Sequence, residues 1–152
     1  MKILVDADAS PLVVKEILYK TARRLGIQLI LVANRNMTIP KLKEVKLLVV
    51  SAGPDEADNR IVEIMNRGDL VISSDIPLAE KVIKKGGLVL DPRGVFLTEE
   101  NIGGKLAMRN LMENLRSSGV QSGGPGSYTM KDKQKFTNQL DKYLTKMLEK
   151  PC

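Results

Sequence analysis

Apolar residues concentrate in five short runs, at positions 3–5, 27–33, 45–50, 70–73 and 88–90, interrupted only by Gln28, Lys46 and Ser73, with stretches of helical spacing between most of them. The continuous run Ile3-Leu4-Val5 predicts a central strand covered on both faces, as in a parallel sheet, rather than one with a wet face. After the first run, Val14, Ile17, Leu18, Ala22 and Leu25 recur on one helical face, and Gly26 stands where a left-handed residue would end the helix. Ile61, Ile64 and Met65 mark a second helix, and Leu78, Ala79, Val82 and Ile83 a third, closed by Gly86-Gly87. A polar connection containing Pro40 joins the second and third runs. Strands alternating with helices predict a doubly wound α/β fold with a mainly parallel five-stranded sheet flanked by helices, the first strand near its middle. Thr98-Glu99-Glu100-Asn101 reads as a further helix start, followed by Ile102, Leu106, Leu111 and Leu115. A last helix carries Phe136, Leu140, Tyr143, Leu144 and Met147 on one side, which is expected to pack across the sheet. Residues 1–152 are thus expected to form one domain, with a basic helical segment of about 99–150 packed on it.

Composition narrows the chemistry. Of 152 residues, 43% are hydrophobic and only 3% aromatic, with no Trp, so the core must be aliphatic and base-stacking platforms of the RNA-recognition type are not expected. The chain has no His and a single Cys, at its last position, so imidazole chemistry, an intramolecular disulfide and cysteine-based zinc sites are all closed to it. Catalysis would have to rest on carboxylates, hydroxyls, Lys/Arg or a hard cation. No run reaches membrane-spanning length and no secretory signal is seen, so a soluble cytoplasmic protein, monomeric or homodimeric, is expected. The net charge of +6 is unevenly placed: nine Lys/Arg face four acids from Asn101 onward, leaving 15 against 14 before it. That excess suits a polyanionic partner.

The acids stand at strand ends. Asp6 and Asp8 follow the first strand, Asp58 lies in the first turn of the second helix, and Asp75 repeats the plan of Asp6, a buried strand running into a carboxylate and a proline-started helix. Asp55 and Asp91 are outer candidates. Capping preferences account for Asp8 and Asp55 equally well, whereas a carboxylate closing a buried strand, as Asp6 does, is costly unless paired or metal-bound. Ligands of open α/β sheets bind at the carboxyl ends of strands where the strand order reverses, so Asp6, Asp8, Asp58 and Asp75 are expected to share one crevice there. All-oxygen ligation without His points to Mg²⁺ or Mn²⁺, ions that support phosphodiester hydrolysis. Ser10, Asn34, Asn59 and Ser74 are the polar candidates for substrate beside these acids. Arg93, Arg109, Arg116 and the Gly123-Gly124 amides are candidates for phosphate, with Lys105 and the lysines from Lys131 to Lys146 guiding a nucleic-acid backbone. The glycine-rich loop at 122–127 lacks Walker spacing and reads equally as a connector or an anion-binding nest.

Asp6-Ala7-Asp8-Ala9 with Pro11, Val32-Ala33-Asn34, Ala57-Asp58-Asn59, Gly68-Asp69-Leu70-Val71-Ile72, Asp75-Ile76-Pro77-Leu78-Ala79, Asp91-Pro92-Arg93-Gly94 and Gly123-Gly124-Pro125 together resemble the bacterial YaiI/YqxD family, in the same order over nearly the whole chain. The resemblance implies a PIN-like fold and an acidic metal site of ribonuclease type, with Asp6, Asp8, Asp58 and Asp75 where PIN-like acids fall. Ser10 stands where the family commonly has Cys. The function expected is therefore Mg²⁺- or Mn²⁺-dependent phosphodiester hydrolysis on single-stranded nucleic acid, RNA favoured. Two alternatives remain: a catalytically silent nucleic-acid-binding or regulatory protein, and a phosphatase resembling the haloacid dehalogenases, with Asp6 as nucleophile and Asp8 as acid-base.

Overall fold

The run Ile3-Leu4-Val5 forms a strand with no exposure on either face. In the computed structural model, which describes residues 1–53, 55–104 and 128–149, it belongs to β1 (Lys2–Asp6). The other strands are β2 (Gln28–Ala33), β3 (Val45–Val49), β4 (Leu70–Ile72), β5 (Leu88–Leu90) and β6 (Phe96–Leu97). They make one sheet in the order β3-β2-β1-β4-β5-β6, parallel from β3 to β5. β1 is central, Ile3 facing Leu29 on one neighbour and Leu70 on the other, and the strand order reverses between β1 and β4. The sheet has one strand more than the hydrophobic pattern predicts. β6 turns back antiparallel on β5, pairing Leu97 with Val89, and two residues are too few to show a period.

Helices cover both faces. α1 (Leu12–Leu25) ends at Gly26, whose φ of 67° is the left-handed conformation a helix terminus of this kind requires. α2 (Glu56–Ile64) and α3 (Ile76–Lys84) lie on the opposite face. Residues 99–104 are helical (α4), started by Thr98 and Asn101, each accepting the other's backbone N–H on its side chain. α5 (Met130–Glu149) starts with the same reciprocal device, Thr129 and Asp132. On one face of the sheet Ile3, Val5, Leu29, Leu31 and Ile72 pack against Val14 and Leu18 of α1 and against Phe136, Leu140 and Leu144 of α5. On the other, Leu4, Val32, Val71 and Val89 meet Ile61, Leu78, Ala79 and Val82. Each such side chain contributes about 1.5–3 kcal/mol gross, which lets three anchors hold α5 although much of its remaining surface is lysine-rich.

The amino edge of the sheet is locked by one carboxylate. Asp69 is only 3% exposed and accepts the Lys2 backbone N–H at 3.1 Å, the Lys2 ammonium at 2.6 Å and the Asn66 N–H at 2.8 Å. Burial alone would push this carboxyl up, but the Lys2 ammonium and the two N–H groups outweigh it and hold it below its usual 3.8. Asp69→Ala strands two N–H donors and an ammonium, so a loss of about 2 kcal/mol in urea unfolding at pH 7 is expected. A depressed carboxyl stabilises above its unfolded value and loses that contribution as pH falls through its folded one. The gap between wild type and Asp69→Ala should therefore close below about pH 4; a gap that stays constant into acid would refute the assignment.

Candidate functional site

The opposite, carboxyl edge is where the acids gather. Asp6, Asp8, Asn34, Gly53, Asp55, Asp58 and Asp75 line one crevice of about 270 Å³, reached from the loops after β1, β2, β3 and β4. Asp6 closes β1 opposite Val32 and is 8% exposed. The chain leaves it through a tight 3₁₀ turn, Ala7–Ala9, which moves the start of α1 back to Pro11. Ser10 does not cap α1: its hydroxyl donates to the Asp6 carbonyl at 2.9 Å, and the Lys15 ammonium donates to the Ala7 carbonyl at 3.2 Å. Both bonds fix the turn that aims Asp6.

Capping explains less than its sequence pattern allows. Asp8 is exposed and accepts the Asn34 backbone N–H at 2.6 Å, tying the loop after β1 to the end of β2 rather than to a helix. Asp55 occupies the N-cap position of α2, yet its side chain makes no capping bond. It is also the one non-glycine at positive φ (66°) among the described residues, a conformation Asp tolerates better than most. Asp75 does cap α3, accepting the Leu78 N–H at 3.0 Å, while its own N–H donates to the buried Ser73 hydroxyl. Its carboxylate thus serves the helix and the crevice together.

Electrostatic crowding marks the centre of the group. Burial, and then the charges of Asp58, Asp75 and Asp8, push Asp6 from 3.8 up to about 6. Asp58 is likewise pushed to about 6 by burial, by Asp75 and Asp55 and by a hydrogen bond with Asp75, with Lys81 partly offsetting them. Acids held this close are ready to accept a cation or to share protons. A second feature of the crevice is the Asn34 side-chain oxygen, which is buried and has no hydrogen-bond partner. Among the described residues no three carboxylates are already drawn into the spacing of a metal cage.

The other sequence candidates separate. Asn59 and Ser74 are exposed, and neither lines the acid crevice. Ser74 instead faces a neighbouring pocket, shared with Ala9, Pro11, Asp91, Pro92, Arg93 and Tyr128. Asp91 there accepts the Arg93 N–H at 2.6 Å, and the Arg93 guanidinium is paired with Asp132 at 2.8 Å. Lys131, Lys133, Lys135, Lys142 and Lys146 are exposed along α5. Lys105, Arg109, Arg116, Gly123 and Gly124 lie outside the described residues. Sequence reasoning missed Tyr128, Asp132 and Lys15; of these only Asp132 left a signal, the Thr-x-x-Asp pattern ahead of a helix.

A family model described as "Uncharacterized BCR, YaiI/YqxD family" matches residues 4–146. The chain is 57% identical to a UPF0178 protein of Maridesulfovibrio salexigens over 99% of both chains. It is 56% identical to one of Thioalkalivibrio sulfidiphilus and 52% identical to one of Syntrophotalea carbinolica, each over 96% of this chain and 99% of the relative. No solved structure matches the chain.

Proposed function

Because the chain belongs to the YaiI/YqxD family, whose α/β sheet here carries an acid-lined crevice at its switch point, we propose that it is a Mg²⁺- or Mn²⁺-dependent phosphodiesterase of single-stranded nucleic acid, RNA favoured. The observation that carries this reading is the convergence of Asp6, Asp8, Asp58 and Asp75, from the carboxyl ends of β1, β3 and β4 and the segments that follow them, on one crevice. The donor set fits a hard divalent cation: every donor is an oxygen, two carboxyls are raised by burial and by their neighbours, and the Asn34 oxygen is left without a partner. Asp6 and Asp75 would hold the ion, with Asp8 and Asp58 beside it; when bound, it supplies Lewis-acid polarisation of a phosphate oxygen.

The chain's own residues do the rest. Asp58 sits on the first turn of α2 facing Asp75 and would take a proton from the attacking water. Asp8, held by the Asn34 N–H, would orient that water. The lysines of α5 give phosphate contacts without reading bases, so binding should weaken steeply with added salt.

The test is incubation of labelled single-stranded RNA, single-stranded DNA and a phosphomonoester with the protein, with Mn²⁺ or chelator, for wild type and Asp75→Asn. Cleavage of nucleic acid that needs both the metal and Asp75 is the expected result. Monoester turnover with phosphate trapped on Asp6 would replace this reading by a phosphatase, and salt-sensitive binding without turnover by a silent binding protein.

A further inference from the structure

We propose that the pocket lined by Pro11, Ser74, Asp91, Pro92, Arg93 and Tyr128 seats one unpaired nucleoside of a bound strand, next to the phosphate presented to the acid crevice. The proposal rests on the nucleic-acid reading above and adds to it what selects a single strand. The pocket measures about 400 Å³, within the range of clefts that hold small organic groups. It shares its walls with the crevice: Ala9 and Ser74 face the pocket, while their neighbours Asp8 and Asp75 face the acids. The two cavities therefore lie side by side along the carboxyl edge of the sheet, where β1 gives way to β4 and β5.

Its lining suits a base and sugar better than a phosphate. Two prolines, Ala9 and the Tyr128 ring are apolar surfaces. The Tyr128 hydroxyl donates to the Pro92 carbonyl at 2.8 Å, so the ring is held in place before any ligand arrives, and little ordering cost remains for stacking. The Arg93 guanidinium is matched by Asp132, and Asp91 adds a further carboxylate. An anion entering here would meet Asp91, whereas sugar hydroxyls and exocyclic amines would find acceptors in Asp91 and Ser74. A base seated in such a pocket has left its stack and its partner strand, which limits the substrate to unpaired segments.

The experiment follows backbone amide shifts by NMR, in chelator, during titration with adenosine 5′-monophosphate, the trinucleotide ApApA, or inorganic phosphate. The expected result is saturable shifts at Ser74, Asp91, Arg93 and Tyr128 with both nucleotides, tighter for the trinucleotide, and none there with phosphate. Tyr128→Leu and Ala9→Trp should each weaken binding about tenfold. Ala9 is exposed, so the second variant fills the pocket without entering the core, and melting curves check both. Binding untouched by both variants, phosphate shifting the same amides, or a mononucleotide that gains nothing from the longer strand would each overturn the proposal. Nucleoside binding without cleavage of any nucleic acid would uphold this pocket and remove the catalytic reading; Mn²⁺-dependent cleavage without nucleoside binding would do the reverse.

Discussion

Gly94→Ala is expected to lower stability by about 3 kcal/mol and the melting temperature by about 6–12 °C. Two effects combine at this turn. Gly94 has a φ of 88°, which a side chain adopts only with strain, and an added Cβ would stand 2.7 Å from the Lys135 carbonyl carbon and the Phe136 nitrogen. These are backbone atoms of α5 and cannot swing aside, so the helix must move, and with it the Phe136 anchor on β1. Gly68→Ala is the internal control: its φ is 89°, but nothing lies within 4 Å of the new Cβ. It should lose only about 1 kcal/mol, the conformational part. Thermal melts of both variants, with limited proteolysis of α5, decide the matter. A Gly94→Ala protein melting within about 2 °C of wild type would mean that α5 is not seated against this turn.

Asp6→Asn should act in opposite directions on activity and on stability. Any metal-dependent cleavage is expected to fall by about 10²- to 10³-fold, because the most deeply buried of the four acids is lost. The metal-free protein should gain about 1–2 kcal/mol at pH 7. A carboxyl raised from 3.8 to about 6 in the fold costs nothing below its unfolded value, where both states hold the proton. The cost grows as pH rises from about 4 to 6 and is complete above that, since the folded state binds the proton more tightly over that window. Melting temperatures of wild type and variant should therefore coincide near pH 4 and diverge by pH 7, with Mn²⁺ reducing the difference. A variant less stable than wild type at pH 7 would show that the Asp6 carboxylate is fully compensated by groups of the fold, and the crevice would then lack its reason to bind a cation.

The layout of β1 to β5 and α1 to α3 was legible because short apolar runs and helical spacing both reflect burial directly. The acids of the crevice were legible as strand-end residues for the same reason, since the switch point follows from strand order. What escaped was whatever depends on contacts between distant segments. Asp69 and Lys2 are 67 residues apart and meet only because Ile3 and Leu70 share a register. Tyr128 reaches Pro92 across 36 residues and carries no local pattern at all. Ser10 reads in sequence as a polar candidate for substrate, and only the 3₁₀ turn shows that its hydroxyl serves the Asp6 carbonyl. The unpartnered Asn34 oxygen is a property of packing, which no reading of residue types supplies.

The burial of β1 beneath α5 also sets the order of events at the ribosome. Ile3 and Val5 are synthesised well before Phe136, Leu140 and Leu144, which complete the cover that Val14 and Leu18 of α1 begin. At about 5–20 residues per second the gap is on the order of 10 s, long compared with the collapse of a short chain. Throughout it β1 can pair with β2 early, but it waits for β4 on one side and for α5 above. The nascent chain therefore carries an incompletely covered apolar face until α5 has been made, a surface suited to chaperone capture. A chain cut short before Phe136 would lack all three anchors that close this face, so proteolysis of such fragments follows from the same packing that seats α5.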